Sequence, residues 1–253
     1  SACGDVVVLR GGLNSLNEGL ELSKKLQPSD LPSWLWWNGN LDEAPELFSK
    51  LADPKRRLII DTSLGSPFSC LEILKKRIEK KHAVSDLNWL RLRSWRETLA
   101  MVFDPPERRI YLENISKLDV DVQGNNPVQG LLLGAWIAER LGWNLISSNF
   151  RDSGIIETIF EDNKKEKIIF KLVSLPVGSP SINPGQIIGI RLICKSNQEY
   201  NNEKCIILGS ESSECIRLEA GGMASMELIE ELVHIPDISV EMDVASLLNT
   251  SRG

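Results

Sequence analysis

Three groups of residues in this sequence have the types and spacing to do chemistry. The first is the stretch IIDTSLGSPFS at 59–69, where Asp61, Ser63, Ser66 and Ser69 follow an apolar run. At the carboxyl end of a strand, such hydroxyls and amides suit an anion, for instance a phosphorylated metabolite held at the start of the next helix. The same residues have a plainer use, because Ser66 or Ser69 beside Pro67 makes an ordinary helix start. Capping is the favoured expectation. Ser63 also stands where an aspartyl phosphotransferase would need a second acid.

The second group is the cysteines Cys3, Cys70, Cys194, Cys205 and Cys215, an odd number at wide spacings with no CxxC pair. That pattern fits thiols in a reducing cytosol rather than a disulfide framework. Cys205 and Cys215 flank GSESSE, and a hairpin through that turn would bring their thiols near one another. Most unpaired cysteines are small buried hydrophobes, so a redox role is the less common reading for any one of the five. His82 and His234 are the only histidines, and Glu227, Glu230 and Glu231 are spaced as a solvated helix face. Neither a metal nor a cofactor is expected.

The third group is rich in tryptophan and arginine. SWLWW at 33–37 is expected to be a strand with Trp34 and Trp36 facing one way and Trp37 the other. DLNWLRLRSWRETLAMVFD at 86–104 alternates Leu90 and Leu92 with Arg91 and Arg93, an extended pattern. Ser94 and Glu97 then have capping-box spacing, which predicts a helix from Trp95 to Phe103 with Arg96 pointing off the core. Tryptophan and arginine are the usual anchors of protein interfaces, which makes Trp36, Trp37, Arg91, Arg93 and Arg96 candidate partner-binding residues. The plainer alternative is a core helix whose arginines are solvated or paired.

The elements that must position these residues change character along the chain. DVVVLR (5–10), SWLWW and RLIID (57–61) have strand patterns, and helices are expected at 14–26, 46–53, 69–81 and 128–141. This alternation predicts parallel βαβ units. Beyond Trp143 come short β-branched runs between Gly, Asn, Pro and Ser, expected to form an antiparallel sheet closed by a helix at 225–233. The expected fold is therefore α/β, with an α/β domain at 1–142 and a β-rich domain with a C-terminal helix at 143–253. The chain starts at Ser1 and enters a strand-like run at once, which suggests a piece of a longer protein.

Several classes are disfavoured. There is no G-x-G-x-x-G, no P-loop and no G-x-S-x-G, and Gly11-Gly12 reads as a strand-to-helix turn. The net charge is −6, and residues 1–142 hold 19 of the 29 basic and 19 of the 35 acidic residues, so all of the excess lies beyond Gly142. General binding to nucleic acid or to an anionic membrane is not expected of such a surface. No apolar run reaches the length of a transmembrane helix, and Val6–Leu9 is too short for a secretory signal.

DLPSWLWWNGN (30–40), RRLIIDTS (56–63), DLNWLRLRSWRETLAMVFD and GLLLGAWIAERLGW (130–143) together resemble the glucose-6-phosphate dehydrogenase assembly protein family, OpcA, of cyanobacteria and actinobacteria. The resemblance implies a non-enzymatic cytoplasmic partner that promotes assembly of that dehydrogenase, or activates it, and so regulates the oxidative pentose phosphate pathway. It also implies redox control through thiols, which brings in thioredoxin as a candidate partner. Family members usually extend upstream of the CGDVVVL run. The competing reading from a different class is an α/β domain that binds or transforms a phosphorylated metabolite at Asp61–Ser69.

Overall fold

The computed structural model describes residues 7–11, 13–26, 32–151, 154–176, 185–195, 204–212, 215–222 and 229–234. The chain divides into two compact units, Ser1–Leu87 and Asn88–Gly253. This division lies well before the expected boundary at 142/143. The change of texture at Trp143 marks the onset of the hairpins, because the β-strand and helix before it already belong to the second unit's sheet and core.

In the first unit, α1 (Leu13–Leu26) precedes β1 (Trp34–Trp36), α2 (Pro45–Leu51), β2 (Arg57–Ile60), α3 (Pro67–Glu79) and β3 (Val84–Asp86). The three strands form a parallel sheet in the order β1-β2-β3. The expected βαβ pattern is what forms, since a parallel crossover needs a helix between successive strands. Leu58 and Ile60 of β2 pack with Leu41, Phe48, Cys70 and Leu74 on one side. Leu20 of α1 joins Ala44, Leu47 and Leu51 in a second cluster. Residues 7–10 are not in a strand, although DVVVLR has the composition of one; residues 5 and 6 lie outside the described residues.

The second unit begins within α4 (Leu87–Arg91), followed by α5 (Arg93–Phe103), α6 (Pro106–Arg109) and a 3-10 turn at Ile110–Asn114. The extended lead-in expected at NWLRLR is helical. Buried residues at 88, 92, 95, 99, 102 and 103 form a helical stripe that runs through it, and four alternating residues are too few to compete. The capping box does not form. Ser94 lies inside α5, its buried Oγ has no hydrogen-bond partner among the described residues, and Glu97 pairs with Arg93 instead.

Then come β4 (Ile115–Gln123), α7 (Val128–Leu141) and β5 (Asn144–Arg151), β6 (Ile155–Glu161), β7 (Lys167–Leu175), β8 (Ile187–Cys194), β9 (Lys204–Ser212), β10 (Cys215–Gly222) and β11 (Ile229–His234). They make one sheet in the order β11-β10-β9-β8-β4-β7-β6-β5, antiparallel except where β4 runs parallel to β7. The helix expected at 225–233 is replaced from Ile229 onward by β11, which pairs with β10 from Cys215–His234 to Ala220–Ile229; residues 225–228 lie outside the described residues. Strand pairing outweighs the modest helix preference of the Glu and Leu residues here.

The second unit's core lies on one face of this sheet. Leu118, Val120 and Val122 of β4, Ile168, Phe170 and Leu172 of β7, and Ile190 and Leu192 of β8 meet Trp95, Leu99 and Val102 of α5 and Leu133 and Ile137 of α7. Helix α7 sits close because it presents Gly130 and Gly134 to β7. A Cβ at Gly130 would collide with Leu172, and one at Gly134 would come within 2.7 Å of Phe170 Cζ. Among the described residues, no helix is long and apolar enough to cross a membrane.

Candidate functional site

In the first unit, strands β2 and β3 deliver Asp61–Ser63 and Asp86 to the same end of the parallel sheet. There the side chains satisfy one another. Thr62 donates from its N–H to Asp86 Oδ1 at 3.0 Å and from its hydroxyl to Oδ2 at 2.8 Å. Ser63 donates from its N–H and its hydroxyl to Asp61 Oδ1, at 3.0 and 2.6 Å. Asp61, Thr62, Ser63 and Asp86 are all buried. The turn continues through Gly65, whose φ of +97° is one that side chains rarely adopt and whose missing Cβ leaves room for Asn40. Ser66 then precedes α3 as expected, with Pro67 first in the helix, but no side chain caps it. The Ser66 N–H donates to Asp42 Oδ2.

These bonds bear directly on an anion at Asp61, Ser63, Ser66 and Ser69. The Ser63 hydroxyl and the Ser63 and Ser66 amides are already engaged by carboxylates, and three carboxylates (Asp42, Asp61, Asp86) gather around the loop. Their effect is felt by Cys70 in the first turns of α3. Burial first, then Asp42, Asp86 and Asp61 in turn, push its thiol up to about 11, and Sγ donates to the Leu64 carbonyl at 3.4 Å. The loop is a carboxylate-centred brace between strands. Its principal members, Thr62 and Asp86, sit 24 residues apart in sequence, and no local spacing signals their pairing.

The cysteines are dispersed. Cys194 is fully buried in β8, and burial, with Cys205 nearby, pushes its thiol up to about 12. A thiol held protonated at neutral pH is a poor nucleophile for disulfide exchange. Cys205 is half-buried in β9. The hairpin does not bring Cys205 to Cys215: Cys205 pairs with Gly221, and Cys215 pairs with Ser212 at the other end of the ladder. Cys3 lies outside the described residues. Among the described residues, no cluster of three or more His, Cys, Asp or Glu could hold a metal ion.

The tryptophans and arginines divide between the units. Trp36 stands on β1, an edge strand, and is 40% exposed. Trp37 turns inward against both clusters of the first unit's core, its ring edge-on to Phe48 with centroids 5.3 Å apart. In the second unit Arg91 is half-buried at the end of α4. Arg93 is exposed and its Nε donates to Glu97 at 2.7 Å, a pairing that raises its pKa. Arg96 lies with its guanidinium 3.9 Å from the centroid of Trp89, and burial lowers its pKa. The structure thus brings Arg93 and Arg96 onto one helix but gives them opposite surroundings. The Trp89 shelf beneath Arg96 was not singled out by sequence reasoning, although Trp89 and Arg96 lie two helical turns apart.

Comparison with known proteins agrees over the whole chain. Two domain families described under the heading "Glucose-6-phosphate dehydrogenase subunit" match it in order, the N-terminal domain over residues 1–76 and the C-terminal domain over residues 82–252. A protein of Synechococcus elongatus provisionally named OxPP cycle protein OpcA is 36% identical over 88% of this chain and 50% of its own length. Its namesake in Nostoc punctiforme is 30% identical over 94% of this chain and 52% of its own length. The chain spans about half the length of the curated relatives it matches. Among solved structures, the 3-ketoreductase KijD10 of Actinomadura kijaniata with NADP has a TM-score of 0.46 at 7% identity, covering 94% of this chain and 78% of that one. A likeness that remote carries no argument about activity. With both domain families matched in order along it, the chain belongs to the OpcA family of glucose-6-phosphate dehydrogenase subunits.

Proposed function

We propose that this chain acts as a non-catalytic partner of glucose-6-phosphate dehydrogenase, binding it and favouring its active oligomeric form. The observation that carries the reading is that both matched domain families are described as belonging to a subunit of that dehydrogenase. The chemistry of the first unit's loop supports it from the other side, because the Thr62 hydroxyl is spent on Asp86, which ties β2 to β3, and the Ser63 hydroxyl on Asp61. The physical mechanism is a population shift. A partner that binds the active form more tightly moves the equilibrium by the difference in affinity, and about 1.4 kcal/mol of difference gives a tenfold change.

Of the five candidate anchors, Trp36 and Arg93 are the most outward, and Trp37, Arg91 and Arg96 are more involved in packing or stacking. Thiol control by thioredoxin, in the cytoplasm, would fall to Cys3, Cys205 or Cys215 ahead of the two buried, protonated thiols.

The test is co-elution of the chain with its cognate dehydrogenase, followed by activity at subsaturating glucose 6-phosphate. The expected result is a joint peak and a raised rate. Separate elution with an unchanged rate would sink the proposal.

A further inference from the structure

The eight-stranded sheet has a second face. Both α5 and α7 pack on the face that carries Leu118, Phe170 and Leu192, so the side chains of opposite parity belong to no core cluster among the described residues. They include Ile155 and Ile159 of β6, Ile169 and Val173 of β7, Ile193 of β8 and Ile207 of β9. All are half-buried except Ile169, which is 41% exposed. An apolar face of this kind, crossed by charges, is the usual mark of an interaction surface.

The charges say what fits it. The strand register places Glu157 beside Lys171, Lys171 beside Asp119, and Asp119 beside Arg191. Across β6, β7, β4 and β8 the row therefore runs minus, plus, minus, plus. Such a row is the complement of its own reversal. When two copies meet face to face about a two-fold axis that runs parallel to the strands between β7 and β4, Glu157 faces Arg191 of the second copy and Lys171 faces Asp119. On one side of the row Ile159 then meets Ile193 and Ile169 meets the stem of Lys117, and on the other Val173 meets Asp121. No other row position puts like charges together. Within one copy Asp119 is buried and already receives Lys117 at 2.8 Å and Arg191 at 3.4 Å, so the contact across the axis rests chiefly on Glu157 and Arg191, whose side chains are 36% and 48% exposed.

The size also fits. From β5 to β9, strands about 4.8 Å apart and about seven residues long give a face on the order of 600 Å2 before side-chain relief is counted. A standard interface takes about 800 Å2 from each partner. Aligned sheets pack about 10 Å apart with strand directions within about 30°, which the proposed axis permits.

We infer that this sheet face, which no core cluster of the described residues covers, is an isologous docking surface for a second copy of the same chain, registered by the Glu157–Lys171–Asp119–Arg191 row. The association does not require the dehydrogenase.

Sedimentation equilibrium of the full chain across micromolar concentrations tests this. The expected mass is about twice 28.3 kDa, with a measurable dissociation constant. Arg191→Glu sets a carboxylate against Glu157 of the second copy and is expected to weaken the dimer by about tenfold or more. Ile169→Lys, at an exposed position, is expected to weaken it further. The exchanged variant Glu157→Arg/Arg191→Glu restores opposite charges across the axis and is expected to recover association although it still lacks the Arg191–Asp119 contact within its own copy; the urea midpoint of each variant, measured alongside, separates the effect from loss of folding. A monomer at every concentration overturns the inference. So does a dimer indifferent to Arg191→Glu and Ile169→Lys. If the chain is monomeric alone and Ile169→Lys abolishes co-elution with the dehydrogenase, the face serves the enzyme and self-association is wrong.

Discussion

The loop that follows β2 and the second face of the eight-stranded sheet invert what their sequences advertise. Asp61, Thr62, Ser63 and Ser66 have the residue types of a catalytic or anion-binding turn, yet the Thr62 and Ser63 amides and hydroxyls and the Ser66 amide are all answered by carboxylates of the same unit. The strands of the second unit look like ordinary β-branched filler, yet among the described residues one parity of the side chains of β6, β7, β4 and β8 belongs to no core cluster. Polar groups that satisfy each other brace a fold. Apolar side chains left outside the core, with Glu157 and Arg191 part-exposed among them, are available to a partner. Chemistry-bearing residue types are thus a poor guide to function until their partners are known.

The largest effect that tests this comparison is expected at Asp86. Replacing it by Ala leaves the buried Thr62 N–H and hydroxyl without their acceptor, and roughly 1–3 kcal/mol per orphaned group gives a loss of about 3 kcal/mol. Asp86→Asn keeps one carbonyl acceptor and should cost less. Urea unfolding followed by tryptophan fluorescence measures both. A shift under about 1 kcal/mol for Asp86→Ala would mean that the brace is decorative and the loop is available for another task.

The second unit has its own brace on the covered side of the sheet. Gly134→Ala forces a methyl group against the Phe170 ring, an overpacking expected to cost about 1–3 kcal/mol. Phe170→Leu, costly alone, should recover part of that loss when combined with Gly134→Ala, because the two residues share one contact. Strict additivity in the double variant would show that α7 simply shifts on the sheet.

How much of this was legible follows from whether the signal is local. Helix α7 occupies 128–141 as its uninterrupted apolar pattern predicts, and the βαβ order of the first unit follows from alternating strand and helix patterns. The capping-box spacing at Ser94 misleads because four residues of a motif cannot reveal that the helix is already under way from Arg93. Cys205 and Cys215 stay apart because register, not loop length, decides which residues meet, and these two are offset along the ladder. The brace joins residues 24 apart, and the charge row joins β6, β7, β4 and β8, which are not consecutive in the chain. Neither was visible before the strand order was known.

The two buried thiols make a smaller, pH-dependent test. Cys70 and Cys194 are held up to about 11 and about 12 against an ordinary 9.0. The folded chain therefore keeps protons that the unfolded chain releases, and stability should be full below about pH 9 and decline as pH rises toward those values. The expected observation is a lower urea midpoint at about pH 10.5 than at about pH 8, with a shallower decline in Cys70→Ala/Cys194→Ala. At the lower pH, alkylation should modify Cys205 faster than either buried thiol. Rapid modification of Cys70 in the folded chain would show that the carboxylate-lined loop opens readily.

The smallest effect separates two arginines on one helix. Arg93 and Glu97 are an i, i+4 pair whose side chains are 62% and 58% exposed, and such pairs contribute about 0.3–0.5 kcal/mol. Arg93→Ala should therefore leave the unfolding midpoint almost unchanged. Arg96 covers the Trp89 ring, a contact worth about 0.5–1 kcal/mol or more where water is displaced, so Arg96→Ala should lower stability visibly. Affinity for the dehydrogenase is expected to reverse that order. Arg93 is the outward group and can exchange Glu97 for a carboxylate on a partner, whereas Arg96 is already committed to Trp89. A titration in which Arg93→Ala binds the dehydrogenase as tightly as the unaltered chain, while Arg96→Ala does not, would move the docking site from the exposed ion pair to the Trp89 shelf.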